Sequence, residues 1–195
     1  MYTIQNYVKV KSLEEAYELN QKKTSQIIGG GMWVRLGKRN IGTAIDLSNL
    51  GLDKIEETED AFIIGCMASL RDIECHEGLN SYFHGMMGEV MKGIVGTQFR
   101  NTATIGGSIF QRFGFSDPLT AFLALDTTVE LYQGGLIPLD DYVSMKYDRD
   151  ILVRIHIKKD GRKAAYQCFR NTKTDFPVLA VAVSEFESQW KVAIG

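Results

Sequence analysis

A chain of 195 residues, 45% hydrophobic and 24% charged, carries enough apolar material for one large domain or two smaller ones around a shared cleft. Its 22 Lys and Arg against 24 Asp and Glu leave a net charge of -2 with no basic run, which argues against a nucleic-acid phosphate backbone as partner. Three prolines and no biased stretch set aside the disordered and low-complexity classes.

The N-terminus has no basic stretch leading into an apolar segment, and no apolar run approaches spanning length, so a soluble, unexported chain without membrane insertion is expected. Cys66, Cys75 and Cys168 form no CxxC pair and are odd in number, which suits a reducing cytoplasm.

In chain order, Ser12 followed by Glu15 marks a helix start, and Leu13, Ala16 and Tyr17 share a face, which predicts a helix to about Leu19. Ser25 to Ile28 reads as a buried strand entering Gly29-Gly30-Gly31, and Thr43 to Leu47 as another, together a small βαβ-like unit. A second unit opens after the charged stretch Glu56 to Asp60 with a strand over Ala61 to Met67, and Ser69 with Asp72 repeats the cap pattern. Phe83, Met87, Val90, Met91 and Ile94 recur at helical spacing, predicting one amphipathic helix over about Ser81 to Ile94 whose methionine stripe is core. Asp117-Pro118 predicts a short helix with Asp117 as its cap.

Val129 to Tyr132 and Leu136 to Leu139 flank a glycine turn and predict a hairpin. Ile151 to Lys158 alternates as a strand with one wet face, on which His156 reads as a solvated surface residue. Ala164 to Phe169, Val178 to Val183 and Trp190 to Ile194 read as three further strands, and no repeat at solenoid spacing is present. The expected fold class is α+β.

Two segments carry candidate chemistry. Ile28-Gly29-Gly30-Gly31 puts three residues without Cβ atoms after an apolar strand, so that successive amides can turn around an anion; a plain tight turn is the competing reading. Thr104-Ile105-Gly106-Gly107-Ser108 joins paired glycines to hydroxyls able to donate to phosphate oxygens, against the alternative of a bulge with hydroxyls bonded locally. The first is neither a P-loop nor GxGxxG. Cys75, His76 and His84 lie close together but lack zinc spacing, so no metal is expected.

Gly29-Gly30-Gly31-Met32-Trp33, then Arg100-Asn101-Thr102-Ala103-Thr104-Ile105-Gly106-Gly107-Ser108, then Ser116-Asp117-Pro118 through Asp126 follow in the order found in the FAD-binding medium subunits of molybdenum hydroxylases, such as those of carbon monoxide dehydrogenase and bacterial xanthine dehydrogenases. The similarity extends to Ala68 through Ile73 and to Phe169-Arg170 through Val178, nearly the whole chain. It implies a two-subdomain FAD-binding fold, with a small βαβ-like subdomain over residues 1–55, a larger mixed or antiparallel sheet with helices over 56–160, and the start of a C-terminal α+β domain over 161–195.

It also implies that Ile28 to Trp33 and Thr104 to Ser108 grip the FAD pyrophosphate. Asp117 would lie near the ribose or flavin end, Leu152 near the isoalloxazine, and Arg170 where a basic residue often meets the flavin. For Asp117 a helix cap, and for Leu152 a core contact, remain equal alternatives. The implied activity is that of an oxidoreductase subunit relaying electrons between an iron–sulfur subunit and NAD or another acceptor, beside a large molybdopterin-binding subunit. The alternatives are an assembly module without FAD and a stand-alone FAD-dependent reductase. No catalytic residue is assigned. Where the family loop commonly continues with Thr and Asp, this chain has Met32 and Trp33, the latter a stacking surface for adenine or flavin, or packing at the subdomain junction.

Overall fold

The computed structural model describes residues 2–195. Its first unit contains β1 (Thr3–Lys9), α1 (Leu13–Asn20), β2 (Ser25–Ile28) and β3 (Asn40–Asp46), with the strands in a parallel sheet ordered β1-β3-β2. β1 escapes sequence reading because it is mostly exposed and carries little apolar alternation; its pairing with β3 defines it. Ser12 caps α1, accepting from Glu15 N at 3.1 Å, while the Glu15 carboxylate accepts from Lys11 N at 2.7 Å, one residue before the cap.

The second unit runs β4 (Ile55–Glu57), β5 (Ala61–Gly65), α2 (Leu70–Cys75), α3 (Glu77–Tyr82), α4 (Met86–Lys92), α5 (Thr97–Arg100), α6 (Ile105–Phe110), α7 (Asp117–Leu123), β6 (Thr127–Leu131), β7 (Gly135–Pro138), α8 (Leu139–Ser144) and β8 (Leu152–Lys158). Its strands form an antiparallel sheet ordered β4-β5-β8-β6-β7, the hairpin β6-β7 at one edge. At α2 the capping box is complete: Ser69 Oγ accepts from Asp72 N and Asp72 Oδ2 accepts from Ser69 N, both at 3.0 Å. A third sheet holds β9 (Lys163–Phe169), β10 (Leu179–Phe186) and β11 (Gln189–Ile194) in the antiparallel order β11-β10-β9. The fold is α+β.

The predicted helix over Ser81 to Ile94 is two helices. His84 and Gly85 take φ of 50° and 83° between α3 and α4, a left-handed step that glycine accepts without steric cost and that no helix can pass through. The apolar spacing survives the break because both helices turn the same stripe inward: Phe83, Met86, Met87, Val90 and Met91 are all buried. Each such side chain contributes about 1.5–3 kcal/mol by leaving water. His156 also differs from expectation. On β8 it lies beside Arg154, and both contact Glu130 of the neighbouring β6, at 3.0 Å and 3.1 Å.

One ion pair holds the α2–α5 layer together. Arg100 meets Glu74 through two bonds, Nε to Oε2 at 2.7 Å and Nη2 to Oε1 at 3.0 Å, and Nη1 donates to the carbonyls of Lys92 and Ile94. Both side chains are nearly sealed from solvent, at 6% and 11% exposure, so the Arg100 charge depends on Glu74 for compensation, while Glu74 also meets Arg71 Nη1 at 2.9 Å. Burial pushes the Glu74 carboxyl up, but the hydrogen bonds and charges of Arg100 and Arg71 outweigh it and hold the group below its ordinary value.

Glu74→Gln is therefore expected to cost about 3 kcal/mol in urea unfolding at neutral pH, because the Arg100 charge stays buried without its partner. A carboxyl lowered in the folded state stabilises above its unfolded pKa of about 4.3 and loses that contribution as pH falls through the folded value. Acid titration of stability should thus be shallower in the variant below about pH 4. Equal stability of the two proteins at pH 7 would contradict the role given to the pair.

Candidate functional site

A cavity of about 500 Å³ lies where the three units meet, bordered by the end of β2 and its glycine loop, the start of α6, the start of α7, residues 147–152 leading into β8, and residues 170 and 174–176 after β9. Both glycine segments border it, touching each other at Gly29 and Thr104, but they are built differently.

In the first segment, Gly29 and Gly30 are glycines for packing reasons. A Cβ on Gly29 would overlap the Thr104 hydroxyl, and one on Gly30 would overlap the carbonyl of Thr102, so the loop lies directly on the Thr104 side chain and the backbone of residues 102–103. Gly31 is a glycine for backbone reasons, with φ of 69°. Beyond the end of β2 at Ile28, the amides of Gly30, Gly31, Met32 and Trp33 donate to no protein acceptor among the described residues. These four residues line the cavity. A run of unpaired amides around a left-handed residue is the geometry of an anion nest.

In the second segment the amides are already used. Ile105 N donates to Ala68 O and Gly106 N to Cys66 O, both at 2.9 Å, while Gly107 N donates to Thr104 Oγ1 at 3.3 Å and Ser108 N to Thr104 O at 3.2 Å. What this segment offers the cavity is room at Gly107 and the hydroxyls of Thr104 and Ser108, both already bonded locally, Thr104 Oγ1 accepting from Gly107 N and Ser108 Oγ donating to Thr104 O at 3.4 Å. A Cβ on Gly106 would strike the Cys66 backbone, whereas one on Gly107 would meet only Thr104 Oγ1, at an ordinary 3.4 Å. No contact within the chain requires Gly107 to lack a side chain, and it faces the cavity.

Of the other residues singled out from sequence, Met32, Trp33, Asp117, Leu152 and Arg170 line the cavity; Ile28 and Ile105 do not, and Ile105 is fully buried. Leu152 opens β8 and is 5% exposed, so it serves the core and the cavity wall together. Asp117 is not the cap of α7: Ser116 is, accepting from Leu119 N at 3.4 Å. The buried Asp117 carboxylate instead accepts from Tyr166 Oη on β9 and from Arg170 Nη2. Burial raises the Tyr166 phenol, and the Asp117 hydrogen bond and charge raise it further. Arg100, within the diagnostic motif, is the buried strut of the helix layer and no cavity residue.

Several cavity residues escape sequence reading. Trp33 stacks on Phe176 with centroids 5.8 Å apart and planes 9° from parallel, and Phe113 and Phe115 complete the cluster at 5.7 Å and 5.8 Å from it. Its members come from all three units, so no local pattern signals it. Val95, on the wall beside Ile94, has φ of 48°, which for a β-branched residue stores about 1–3 kcal/mol of strain. Arg149 ties the strand β2 to the loop before β8, donating to the carbonyls of Asn20, Lys22 and Ser25.

Burial pushes the Cys66 thiol up to about 12, which makes it an inert core group. Among the described residues no group of three or more His, Cys, Asp and Glu is placed to hold a metal ion, and no helix is long and apolar enough to cross a membrane.

Four unpaired amides, two hydroxyls and a vacant side-chain position around one elongated cavity fit the pyrophosphate of a dinucleotide. Comparison with known proteins gives the family. A family model described as the FAD binding domain in molybdopterin dehydrogenase matches residues 2–158. The protein YgfM of Escherichia coli K12, described as uncharacterized, is 26% identical over 189 residues, covering 93% of this chain and 70% of its own.

Among solved structures, a chain of carbon monoxide dehydrogenase from Hydrogenophaga pseudoflava superposes with a TM-score of 0.84 at 22% identity, covering 97% of this chain and 73% of that one. Quinoline 2-oxidoreductase from Pseudomonas putida 86 gives 0.85 at 17%, covering 99% and 74%. At these identities the superpositions establish the fold, and the family match over most of the chain establishes the lineage and its cofactor. The chain belongs to the family of FAD-binding domains of molybdopterin dehydrogenases.

Proposed function

We propose that the protein is the flavin-bearing subunit of a molybdenum-dependent hydroxylase, passing electrons between an iron–sulfur partner and an external acceptor such as NAD. The observation that carries this reading is the open run of amides at Gly30 to Trp33 facing the vacant place at Gly107. Bound FAD supplies the redox chemistry. The chain's own residues bind and orient: the four amides and the hydroxyls of Thr104 and Ser108 neutralise the diphosphate, while Met32, Leu152 and Ile94 give the rings an apolar wall.

The iron–sulfur and molybdenum centres belong to partner subunits in this reading. Three free cysteines, one buried and two exposed at separate places, cannot supply the usual four thiolates of a cluster. Free thiols also suit a cytoplasmic location. We take residues 1–55, 56–160 and 161–195 as the two flavin-binding subdomains and the start of a third unit; three separate sheets support such a division, although β4 already begins at Ile55.

Purified protein is expected to be yellow, or to bind added FAD with a Kd readable from quenching of flavin fluorescence. Gly107→Leu tests the vacant position. Its Cβ has room and leucine suits a helix, so the variant should keep the wild-type circular dichroism while losing at least tenfold in FAD affinity, about 1.4 kcal/mol. Gly106→Ala should instead lower thermal stability, since its Cβ strikes the Cys66 backbone. A folded Gly107→Leu protein with unchanged FAD affinity would reject the site as drawn.

A further inference from the structure

Asp117 is held in an asymmetric way. Both of its protein donors, Tyr166 Oη and Arg170 Nη2, reach the same oxygen, Oδ1. Among the described residues Oδ2 accepts no hydrogen bond. It is not sealed in protein either, for the buried side-chain polar atoms without a partner are Ser25 Oγ, Arg112 Nε, Tyr142 Oη and Arg170 Nε, and Asp117 lines the cavity. Its side chain is only 6% exposed, so the opening that Oδ2 keeps is toward the cavity and not toward bulk solvent.

A buried carboxylate has about four acceptor positions, and leaving one oxygen without a donor is costly. A salt bridge to Arg170 alone does not fix rotation about the terminal bond of the Asp117 side chain, which is broad and twofold. The second donor to Oδ1 does. It comes from β9 in the third sheet, while Asp117 starts α7 in the second unit, so the bond also sets the position of one unit against the other at the cavity wall.

From this geometry we infer that Tyr166 is a positioning residue: with Arg170 it occupies Oδ1 of Asp117 and thereby turns Oδ2 into the cavity as the acceptor for an N–H or O–H donor of the bound dinucleotide. The inference rests on the FAD reading above. The Tyr166 ring is buried and its hydroxyl has one protein acceptor, so Tyr166→Phe removes the bond while leaving the packing in place.

The test is a double-mutant cycle on FAD affinity, read by flavin fluorescence quenching with wild type, Tyr166→Phe, Asp117→Asn and the double variant, and with thermal melting recorded for each. Tyr166→Phe is expected to raise the Kd for FAD about tenfold in the wild-type background and less than twofold in the Asp117→Asn background, because its effect passes through the carboxylate. A merely structural tyrosine would lower the melting temperature by the same amount in both backgrounds and leave no coupling in Kd. Wild-type affinity in Tyr166→Phe, or an equal penalty in both backgrounds, would overturn the positioning role. Failure of the wild-type protein itself to bind FAD would overturn the FAD reading, a separate and recognisable result.

Discussion

Gly30 lies on the backbone of Thr102 and Ala103, and Gly29 on the Thr104 side chain, so the loop after β2 touches the turn between α5 and α6 with no room for a Cβ. That approach brings the end of β2 to the start of α6, and the amides of Gly30 to Trp33, on the cavity wall, have no acceptor among the described residues. Side chains at either glycine would separate the two segments, and the cavity walls with them. The proposed diphosphate site is in this sense a consequence of how the first and second units pack. The glycines are required by the protein's own contacts before any ligand is considered.

This separates three uses of glycine that look alike in sequence. Gly29, Gly30 and Gly106 relieve overlaps inside the chain, Gly31 permits a left-handed turn, and Gly107, with an ordinary backbone, has room for a side chain among the described residues. In the proposed site the segments would divide the binding work, the first contributing free amides and the second hydroxyls and room. A symmetric pair of anion nests, the simplest picture from two glycine-rich stretches, does not describe them, because the first-turn amides of α6 already bond to Cys66, Ala68 and Thr104.

Elements with a local signal were legible in the sequence. The alternation along β8, the box at Ser69 and Asp72 and the glycine turn between β6 and β7 each depend on residues a few positions apart, and each is found where the pattern puts it. The methionine stripe gave the correct buried face but the wrong continuity, since periodicity records which side faces inward and is blind to a two-residue step at His84 and Gly85. What stayed hidden was long-range. Tyr166 meets Asp117 across 49 positions, His156 meets Glu130 across 26, and the cluster around Trp33 draws on three sheet units. The family resemblance supplied the cofactor and the neighbourhood of the site; the partner of each side chain came only from the fold.

The division of labour between the two segments is open to direct measurement by amide hydrogen exchange of the protein with and without FAD. Amides of Gly30, Gly31, Met32 and Trp33 have no acceptor within the described protein and should exchange rapidly until FAD is added, then slow markedly. Those of Ile105 to Ser108 are bonded already and should change little. Protection that appears at Ile105 to Ser108 while Gly30 to Trp33 stay fast would contradict the placement of the diphosphate on the first loop.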